Sequence, residues 1–376
     1  MLRAQSTGNN PAQTTVSEAT LAEIHKLTGN FLVDAGVSAA QLAVTRNGVL
    51  IFSEAYATKP PRGFSPVNKQ TLFRLASCSK LFACAAIDAL HRREKLDLDA
   101  KVFPLLKIQA PASRRDKPDP HINDITVRHL VEHAGGWNDH ESVRAADGAH
   151  IPGTEWDPVF SLRQIAIGLG LSSPPSKLDI ARYMYGKPLQ FIPGTQNFNT
   201  TYQKSYSNFG YLLLGLIVES VSGQSFIDFV RTGLGAESDT SNVYVSRLLE
   251  KARDPREVWY IDPGSGPTVF DPRSSEKLMS AYGGGGFLPE MMDSAGGLMT
   301  NAETLALFIS RHAAWGLGGR NPRSARTGGM PGTASLACSR RNGIDCAYVL
   351  NTRNFNGGPS QQDKYISSLE SLLDQL

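Results

Sequence analysis

The chain has 376 residues and a nearly balanced charge, with 38 Lys and Arg residues against 35 Asp and Glu residues and a formal net charge of +3. A chain of this length can bury a large core and is long enough for two lobes. The balanced charge and the lack of a long basic run argue against a nucleic-acid partner. The sequence contains no stretch of 18 apolar residues, so we expect no membrane span.

Residues 1–16 are polar and predict a disordered N-terminal arm before a domain over residues 17–376. The arm lacks the apolar segment of a signal peptide, so the sequence leaves the compartment open and, as given, indicates a cytoplasmic protein. A periplasmic or secreted location is the alternative if a leader has been removed.

The first predicted elements of the domain are a helix and a β-hairpin. Apolar residues at helical spacing from Leu21 to Ala35 indicate an amphipathic helix. Two strand-like segments, Gln41–Arg46 and Val49–Tyr56, flank Asn47-Gly48, a dipeptide typical of a two-residue hairpin turn.

The segment Ser77-Cys78-Ser79-Lys80 has the pattern of a serine nucleophile that carries its own base. It lies between a strand-like approach, Thr71–Ala76, and a helical run, Leu81–Leu90. Positions i and i+3 share a helix face, so the Lys80 ammonium can reach Ser77 Oγ. Backbone N–H groups at the start of the helix would favour a developing oxyanion. The alternative is a chance four-residue pattern with Ser77 as a simple helix cap.

The segment from His129 to His133 spells H-x-x-E-H, the zinc pattern of the inverzincins. On a helix, the two histidines would share a face and could begin a metal site. Gly135-Gly136 indicates that the helix stops at once. We therefore expect no metal and no other cofactor, and zinc stays a minor alternative.

Tyr206 and Asn208 lie just before an apolar helical run that extends from Phe209 to a glycine stop at Gly223. The Tyr206 phenol can shuttle a proton, and the Asn208 amide can donate to a substrate carbonyl and accept from a lysine. The alternative is structural: a tyrosine packed in a loop and an asparagine that caps the helix.

The segment Arg326-Thr327-Gly328-Gly329 combines a cation, a small hydroxyl and two glycines on a predicted strand. Glycines there let a substrate backbone approach closely, so the four residues are predicted to bind substrate. The N–H of Gly329 could complete an oxyanion hole with that of Ser77. A glycine turn beside a surface arginine is the alternative.

Near the C-terminus, Cys338 and Cys346 flank Arg341–Gly343, which suits a three-residue hairpin loop with glycine in the left-handed conformation. In that register the two cysteines face each other, close enough for a disulfide. Two buried thiols are the favoured alternative. A final helix is expected over Gln362–Gln375.

These elements predict an α+β fold in which residues from both halves of the chain build one lobe. We expect an α/β lobe from residues 17–76 and 290–376 and an inserted, mainly helical lobe from residues 77–289. The three motifs would meet in the cleft between the lobes, a favoured place for a ligand.

In this order and spacing, the three motifs resemble those of the serine β-lactamase and penicillin-binding protein superfamily. The resemblance is to the branch of class C-like β-lactamases and family VIII carboxylesterases, and it extends over roughly residues 17 to 375. Phe73–Ala76 before the nucleophile and Ser294–Met299 before the last strands support it. It implies a β-lactamase/DD-peptidase-like fold, with an antiparallel sheet flanked by helices.

The resemblance also implies a role for each motif. Ser77 would be acylated, with Lys80 as the base or the group that tunes it. Tyr206 would relay the proton to the leaving group and later activate the deacylating water. Asn208 would orient Lys80 and the substrate. Arg326 stands where the family usually has Lys or His, and its fork could pair with a carboxylate.

We therefore expect a serine hydrolase that acts through an acyl-enzyme on a small ester, amide or peptide, a range that includes β-lactams and D-amino-acid peptides. The alternatives are an acyltransferase of the same fold and a catalytically silent binding or scaffold protein. The segment from Gly194 to Tyr206 is longer than in relatives, so residues 199–205 are expected to reshape one wall of the cleft. The sequence leaves the oligomeric state open.

Overall fold

The computed structural model describes residues 17–58, 60, 63–140, 156–198, 204–235 and 238–376. The arm predicted to be disordered, residues 1–16, lies outside the described residues. The same is true of residues 199–203, which make up most of the expected insertion.

The elements in these ranges are numbered in chain order. The strands are β1 (Ala39–Arg46), β2 (Val49–Ala57), β3 (Phe73–Arg74), β4 (Tyr244–Val245), β5 (Ser265–Pro267), β6 (Lys277–Met279), β7 (Leu298–Thr300), β8 (Ser324–Met330), β9 (Thr333–Ser339) and β10 (Ile344–Leu350). The α-helices are α1 (Glu18–Asp34), α2 (Ser79–Arg92), α3 (Val102–Leu105), α4 (Val127–Val131), α5 (Leu162–Leu169), α6 (Lys177–Tyr185), α7 (Asn208–Ser222), α8 (Phe226–Asp228), α9 (Ala302–Ile309) and α10 (Ser360–Leu373).

Five antiparallel strands of the described chain form the main sheet, in the order β2-β1-β10-β9-β8. Two of them come from residues 39–57 and three from residues 324–350, so distant parts of the sequence meet in one sheet. The predicted lobe boundaries, after residue 76 and after residue 289, stay predictions.

The β1–β2 hairpin has the turn that the sequence predicts. Arg46 pairs with Val49, which leaves Asn47 and Gly48 as a two-residue turn. Both turn residues have positive φ, 49° and 76°, as a type I′ turn requires. The prediction of this hairpin is confirmed.

The β9–β10 hairpin also matches its prediction. Cys338 lies directly opposite Cys346. Arg340 N donates to Ile344 O, so three residues form the loop, and the last of them, Gly343, has φ 79°. All four cysteines lie in the described ranges and are free and buried, which agrees with the favoured alternative of two thiols.

An apolar cluster covers each face of the main sheet. Helices α1 and α10 cover one face, where the rings of Phe31 and Tyr365 stack with centroids 4.2 Å apart. A larger cluster on the other face includes α2, α7 and α9, and there Phe82 and Phe308 stack at 4.0 Å. Each large apolar side chain that is fully buried contributes about 1.5–3 kcal/mol to folding. This second cluster seats the start of α2 against β8.

Within the described ranges, no single helix is long and apolar enough to cross a membrane. One pair of helical segments has the length and apolar composition of a membrane span only when the two are taken together, Asn208–Ser222 and Phe226–Gly233. The chain bends by 76° between them.

Candidate active site

Ser77 lies in a short 3-10 turn, Ala76–Cys78, that leads directly into α2. The residue before it, Ala76, has φ 44°, a left-handed conformation that is uncommon for a residue other than glycine. Such conformations persist where the surrounding structure enforces them, and they cluster at functional sites. The sequence predicts the serine at the start of the helix but gives no signal of the strained residue before it.

Strand β8 passes very close to this turn because residue 328 is a glycine. A Cβ atom at Gly328 would lie 2.3 Å from the Leu75 carbonyl oxygen and 2.9 Å from the Ser77 nitrogen. The side chains alternate along β8, so Thr327 and Gly329 are exposed. The strand therefore presents these two residues beside the serine.

Lys80 is fully buried on the first turn of α2. Its Nζ lies 3.3 Å from Ser77 Oγ, 2.6 Å from Asn208 Oδ1 and 2.6 Å from the Ala295 carbonyl oxygen. These three acceptors match the three N–H donors of an ammonium group. The spacing of Ser77 and Lys80 in the sequence thus produces the contact that it predicts.

A charged cluster anchors the first residue of the turn that contains Ala295. Lys177 Nζ lies 2.7 Å from carboxylate oxygens of both Glu219 and Asp293. Asp293 begins the π-helical turn Asp293–Gly297 that contains Ala295. Burial raises the pKa of Asp293, and the Lys177 ammonium opposes this effect. The cluster therefore supports one of the acceptors of Lys80.

Tyr206 reaches the serine from the loop before α7. Its Oη donates to Ser77 Oγ over 2.9 Å. The phenol ring stacks on the His133 imidazole, with centroids 4.4 Å apart and an angle of 22° between the planes. Burial lowers the pKa of His133 well below its usual value, and the Arg326 and Lys80 charges act in the same direction. The His133 imidazole is therefore neutral, and it packs against one face of the Tyr206 ring.

Asn208 is the first residue of α7, and Ser207, not Asn208, caps the helix. Ser207 Oγ accepts from the N–H of Gly210 at 3.1 Å. The Asn208 amide is thus free of the capping role, and its oxygen accepts from Lys80. Its Nδ2 donates to Asp157 Oδ2 over 2.6 Å, and its backbone N–H donates to Asp139 Oδ2 over 2.5 Å.

Asp139 and Asp157 belong to the site, although no motif in the sequence marks them as partners of Asn208. Both residues are half-buried. Burial, and then the neighbouring Asp157 carboxylate, raises the pKa of Asp139 well above its usual range. Burial also raises the pKa of Asp157. Two acidic groups so close together disfavour the state in which both are charged.

Arg326 does not face the open part of the site. Its side chain is 1% exposed, and its Nε donates to the Ala314 carbonyl oxygen over 2.9 Å. The guanidinium carbon lies 3.8 Å from the centroid of the Trp315 ring, which stacks in turn on Phe198 at 3.9 Å. The two terminal nitrogens have no hydrogen-bond partner among the described residues. The guanidinium group of Arg326, which was predicted to bind a substrate carboxylate, is therefore covered by the stacked rings of Trp315 and Phe198.

The histidines of the H-x-x-E-H pattern do not continue one helix. Helix α4 ends at Val131, and His133 beyond it has φ 57°. The backbone N–H groups of Thr126 and Ser207 approach Nδ1 of His129 and His133, at 3.3 and 3.1 Å. Among the residues with described positions, no group of three His, Cys, Asp or Glu side chains could hold a metal.

The Beta-lactamase family model matches residues 23–356 of the chain. The probable fimbrial assembly protein FimD, serogroup H1, of Dichelobacter nodosus is 27% identical over 186 residues, which cover 50% of this chain and 38% of that protein. Esterase EstB of Burkholderia gladioli is 28% identical over 186 residues, which cover 48% of this chain and 40% of the esterase. The chain thus spans less than half the length of these relatives.

A solved structure extends the likeness to nearly the whole chain. EstCE1, a hydrolase with promiscuous acyltransferase activity, aligns over 96% of this chain and 100% of its own, with a TM-score of 0.64 and 16% identity. At this identity the likeness shows the fold alone. The predicted α+β fold, an antiparallel sheet flanked by helices, is confirmed.

Proposed function

Because the chain belongs to the beta-lactamase family, we propose that it is a serine hydrolase that cleaves esters or amides through a covalent acyl-enzyme. One observation carries the proposal: Tyr206 Oη and Lys80 Nζ both lie within contact distance of Ser77 Oγ, at 2.9 and 3.3 Å. A serine hydroxyl becomes a useful nucleophile only when a neighbouring base accepts its proton.

In the acylation step, Tyr206 Oη first releases its proton to solvent, and Ser77 Oγ then attacks the substrate carbonyl carbon and gives its proton to the Tyr206 oxygen. The Lys80 ammonium stabilises the negative charge that moves between the two oxygens. The N–H groups of Ser77 and Gly329 hold the oxyanion of the tetrahedral intermediate. Tyr206 then transfers the proton to the leaving alcohol or amine, and the acyl group stays on Ser77. General base catalysis of this kind contributes about 10²- to 10⁴-fold in rate.

Deacylation repeats the same proton transfers with water. A water oxygen attacks the acyl carbon while Tyr206 accepts a proton from that water molecule. The proton then passes from Tyr206 to Ser77 Oγ as the acyl group leaves. The stack on His133 supports this role because it limits how far the phenol can move between the two steps.

The covered position of Arg326 supports a preference for uncharged substrates. With the guanidinium beneath Trp315, the exposed part of β8 offers the Thr327 hydroxyl and the Gly329 backbone, which suit a neutral ester or amide. The name of the relative EstB also favours an ester. We propose that short neutral esters are cleaved faster than β-lactams, which carry a carboxylate.

Labelling with a fluorophosphonate tests the acyl-enzyme proposal. The probe reacts with an activated serine, so intact mass should show one adduct on the wild type and none on Ser77→Ala. The matched control is Ser173→Ala, which removes an exposed serine outside the site and should label like the wild type. The rate of p-nitrophenyl acetate hydrolysis should parallel the labelling: Ser173→Ala should match the wild type, and Ser77→Ala should be at least about 10³-fold slower.

An unlabelled wild type without esterase or amidase activity would contradict the proposal and favour the silent binding alternative. Faster turnover of a chromogenic cephalosporin than of neutral esters would contradict the proposed substrate preference alone.

A further inference from the structure

We propose that Asp139 and Asp157 are positioning residues of the active site, which hold the Asn208 amide with its oxygen on Lys80. This inference rests on the proposed serine hydrolase function and adds two residues to it that the three motifs do not contain. It is carried by the contacts of Asn208 on both its side chain and its backbone.

Asp157 determines which way the Asn208 amide faces. A carboxamide can rotate by half a turn and exchange its oxygen and nitrogen with little change in shape. Asp157 Oδ2 lies 2.6 Å from Nδ2, and an ionised carboxylate can only accept a hydrogen bond. Rotation would place the amide oxygen against the carboxylate and the NH₂ group against the Lys80 ammonium. Asp157 therefore keeps Oδ1 on Lys80, at 2.6 Å.

Asp139 hydrogen-bonds to the backbone at both ends of the segment from Tyr206 to Asn208. Its Oδ2 accepts from the N–H of Asn208 at 2.5 Å, and its own N–H donates to the Tyr206 carbonyl oxygen at 2.8 Å. One residue thus ties the phenol and the amide to a single loop. A shift of Asp139 would move both groups relative to Ser77.

The charges around Asp139 and Asp157 explain why two acidic residues suit this place beside Asn208. Lys80 is the buried cation on the far side of the Asn208 amide, and His140 is the basic group on the side of Asp157. Tyr206 carries a negative charge in the deprotonated form that accepts the serine proton. Since burial raises the pKa of both acids, they balance Lys80 without placing two full negative charges beside the phenol.

Substitutions at Asp157 separate its geometric effect from its electrostatic effect. In Asp157→Ala the amide can rotate, so kcat for p-nitrophenyl acetate should fall about 10- to 100-fold while KM changes less than about 2-fold. In Asp157→Asn the new amide oxygen can still accept from Asn208, so most of the kcat should return. Asp157→Asn also removes a negative charge beside the catalytic groups. A negative charge opposes the loss of a proton from a neighbouring group, so its removal should move the acid limb of kcat/KM to lower pH.

Asp139→Ala should lower kcat in the same way as Asp157→Ala. The matched controls are Asp116→Ala and Asp116→Asn, since Asp116 is a partly exposed acid that pairs with Lys187 outside the site. Rates are expressed per fluorophosphonate-labelled serine, so a fraction of unfolded protein does not enter the comparison.

Each result has one meaning. An unlabelled wild type overturns the proposed function and this inference together. A labelled wild type whose Asp157 variants match the Asp116 variants in kcat and pH profile overturns the inference alone. If Asp157→Ala does not fold, Asp157→Asn decides: an unmoved acid limb overturns the inference, and a shift to lower pH supports it.

Discussion

At residue 328 the absence of a side chain sets the distance between β8 and the serine. A Cβ atom added at Gly328 would lie only 2.3 Å from the Leu75 carbonyl oxygen and 2.4 Å from Ser335 Oγ. The first of these is a backbone atom and cannot move aside alone. The next residue, Gly329, has nothing within 4 Å of its Cβ position, so the two glycines serve different purposes.

We predict that Gly328→Ala lowers kcat/KM for p-nitrophenyl esters by about 10²- to 10³-fold, the usual effect of losing one oxyanion donor. The added methyl group pushes β8 away from the Ser77 turn, and the Gly329 N–H moves with the strand. Steady-state kinetics on folded protein measure the effect. Gly329→Ala is the control on the same strand and should lose far less activity. Equal losses in the two variants would refute the explanation.

Some residues of the site could be predicted from the sequence, and others could not. The Ser77–Lys80 contact depends only on helix geometry, so its spacing was sufficient. Asp139, Asp157 and Trp315 have no such signal, because they reach the site through loops whose paths depend on tertiary packing. The burial of Arg326 was missed for the same reason.

At the scale of elements, the first turn of α7 contains both the cap of the helix and two residues of the candidate active site. Ser207 caps the helix, while its neighbours on either side, Tyr206 and Asn208, contact Ser77 and Lys80. The sequence predicts the apolar run and its end at Gly223, where φ is 70°. It does not show which of Ser207 and Asn208 is the cap, since both residue types suit that position.

We predict that Ser207→Ala lowers the free energy of unfolding by about 1 kcal/mol, because the Gly210 N–H loses its acceptor. The first turn should fray and release Asn208, so kcat should also fall several-fold. Urea denaturation and ester hydrolysis measure the two effects.

The control for Ser207 is Ser176→Ala, which removes the cap of α6. Ser176 accepts from the N–H of Asp179 at 3.1 Å, so a similar loss of stability is expected. Its activity per folded molecule should stay at the wild-type level. If both variants lose activity equally, the α7 cap has no special connection with the site.

At the scale of the whole molecule, a fully buried ion pair links several distant segments. Arg74 in β3 and Glu257 have no exposed side-chain surface, and their atoms Nε and Oε1 lie 3.2 Å apart. Ser246 hydrogen-bonds to both side chains, and Arg74 Nη1 donates to the Ala281 carbonyl oxygen. Since Arg74 lies three residues before Ser77, this network also holds the segment that leads to Ser77.

The overall fold was predictable to the extent that it follows from local patterns and from the resemblance. The hairpin at Asn47-Gly48 and the loop before Gly343 are set by turn chemistry. The pairing of β1 with β10 joins residues about 300 positions apart and has no local signal. The buried Arg74–Glu257 pair is equally invisible, because a charged residue in a sequence is normally expected at the surface.

We predict that Glu257→Ala lowers the free energy of unfolding by about 3–5 kcal/mol, measured by urea denaturation. The substitution leaves the Arg74 charge buried without its carboxylate, and it also removes the partner of Arg253. Asp116→Ala, which breaks a partly exposed pair, is the control and should cost less than about 1 kcal/mol. Replacing both partners, as in Arg74→Met with Glu257→Leu, should cost less than the sum of the single changes, since no buried charge of this pair remains. An additive double variant would mean that the two side chains stabilise the protein independently, and the network would then not act as one unit.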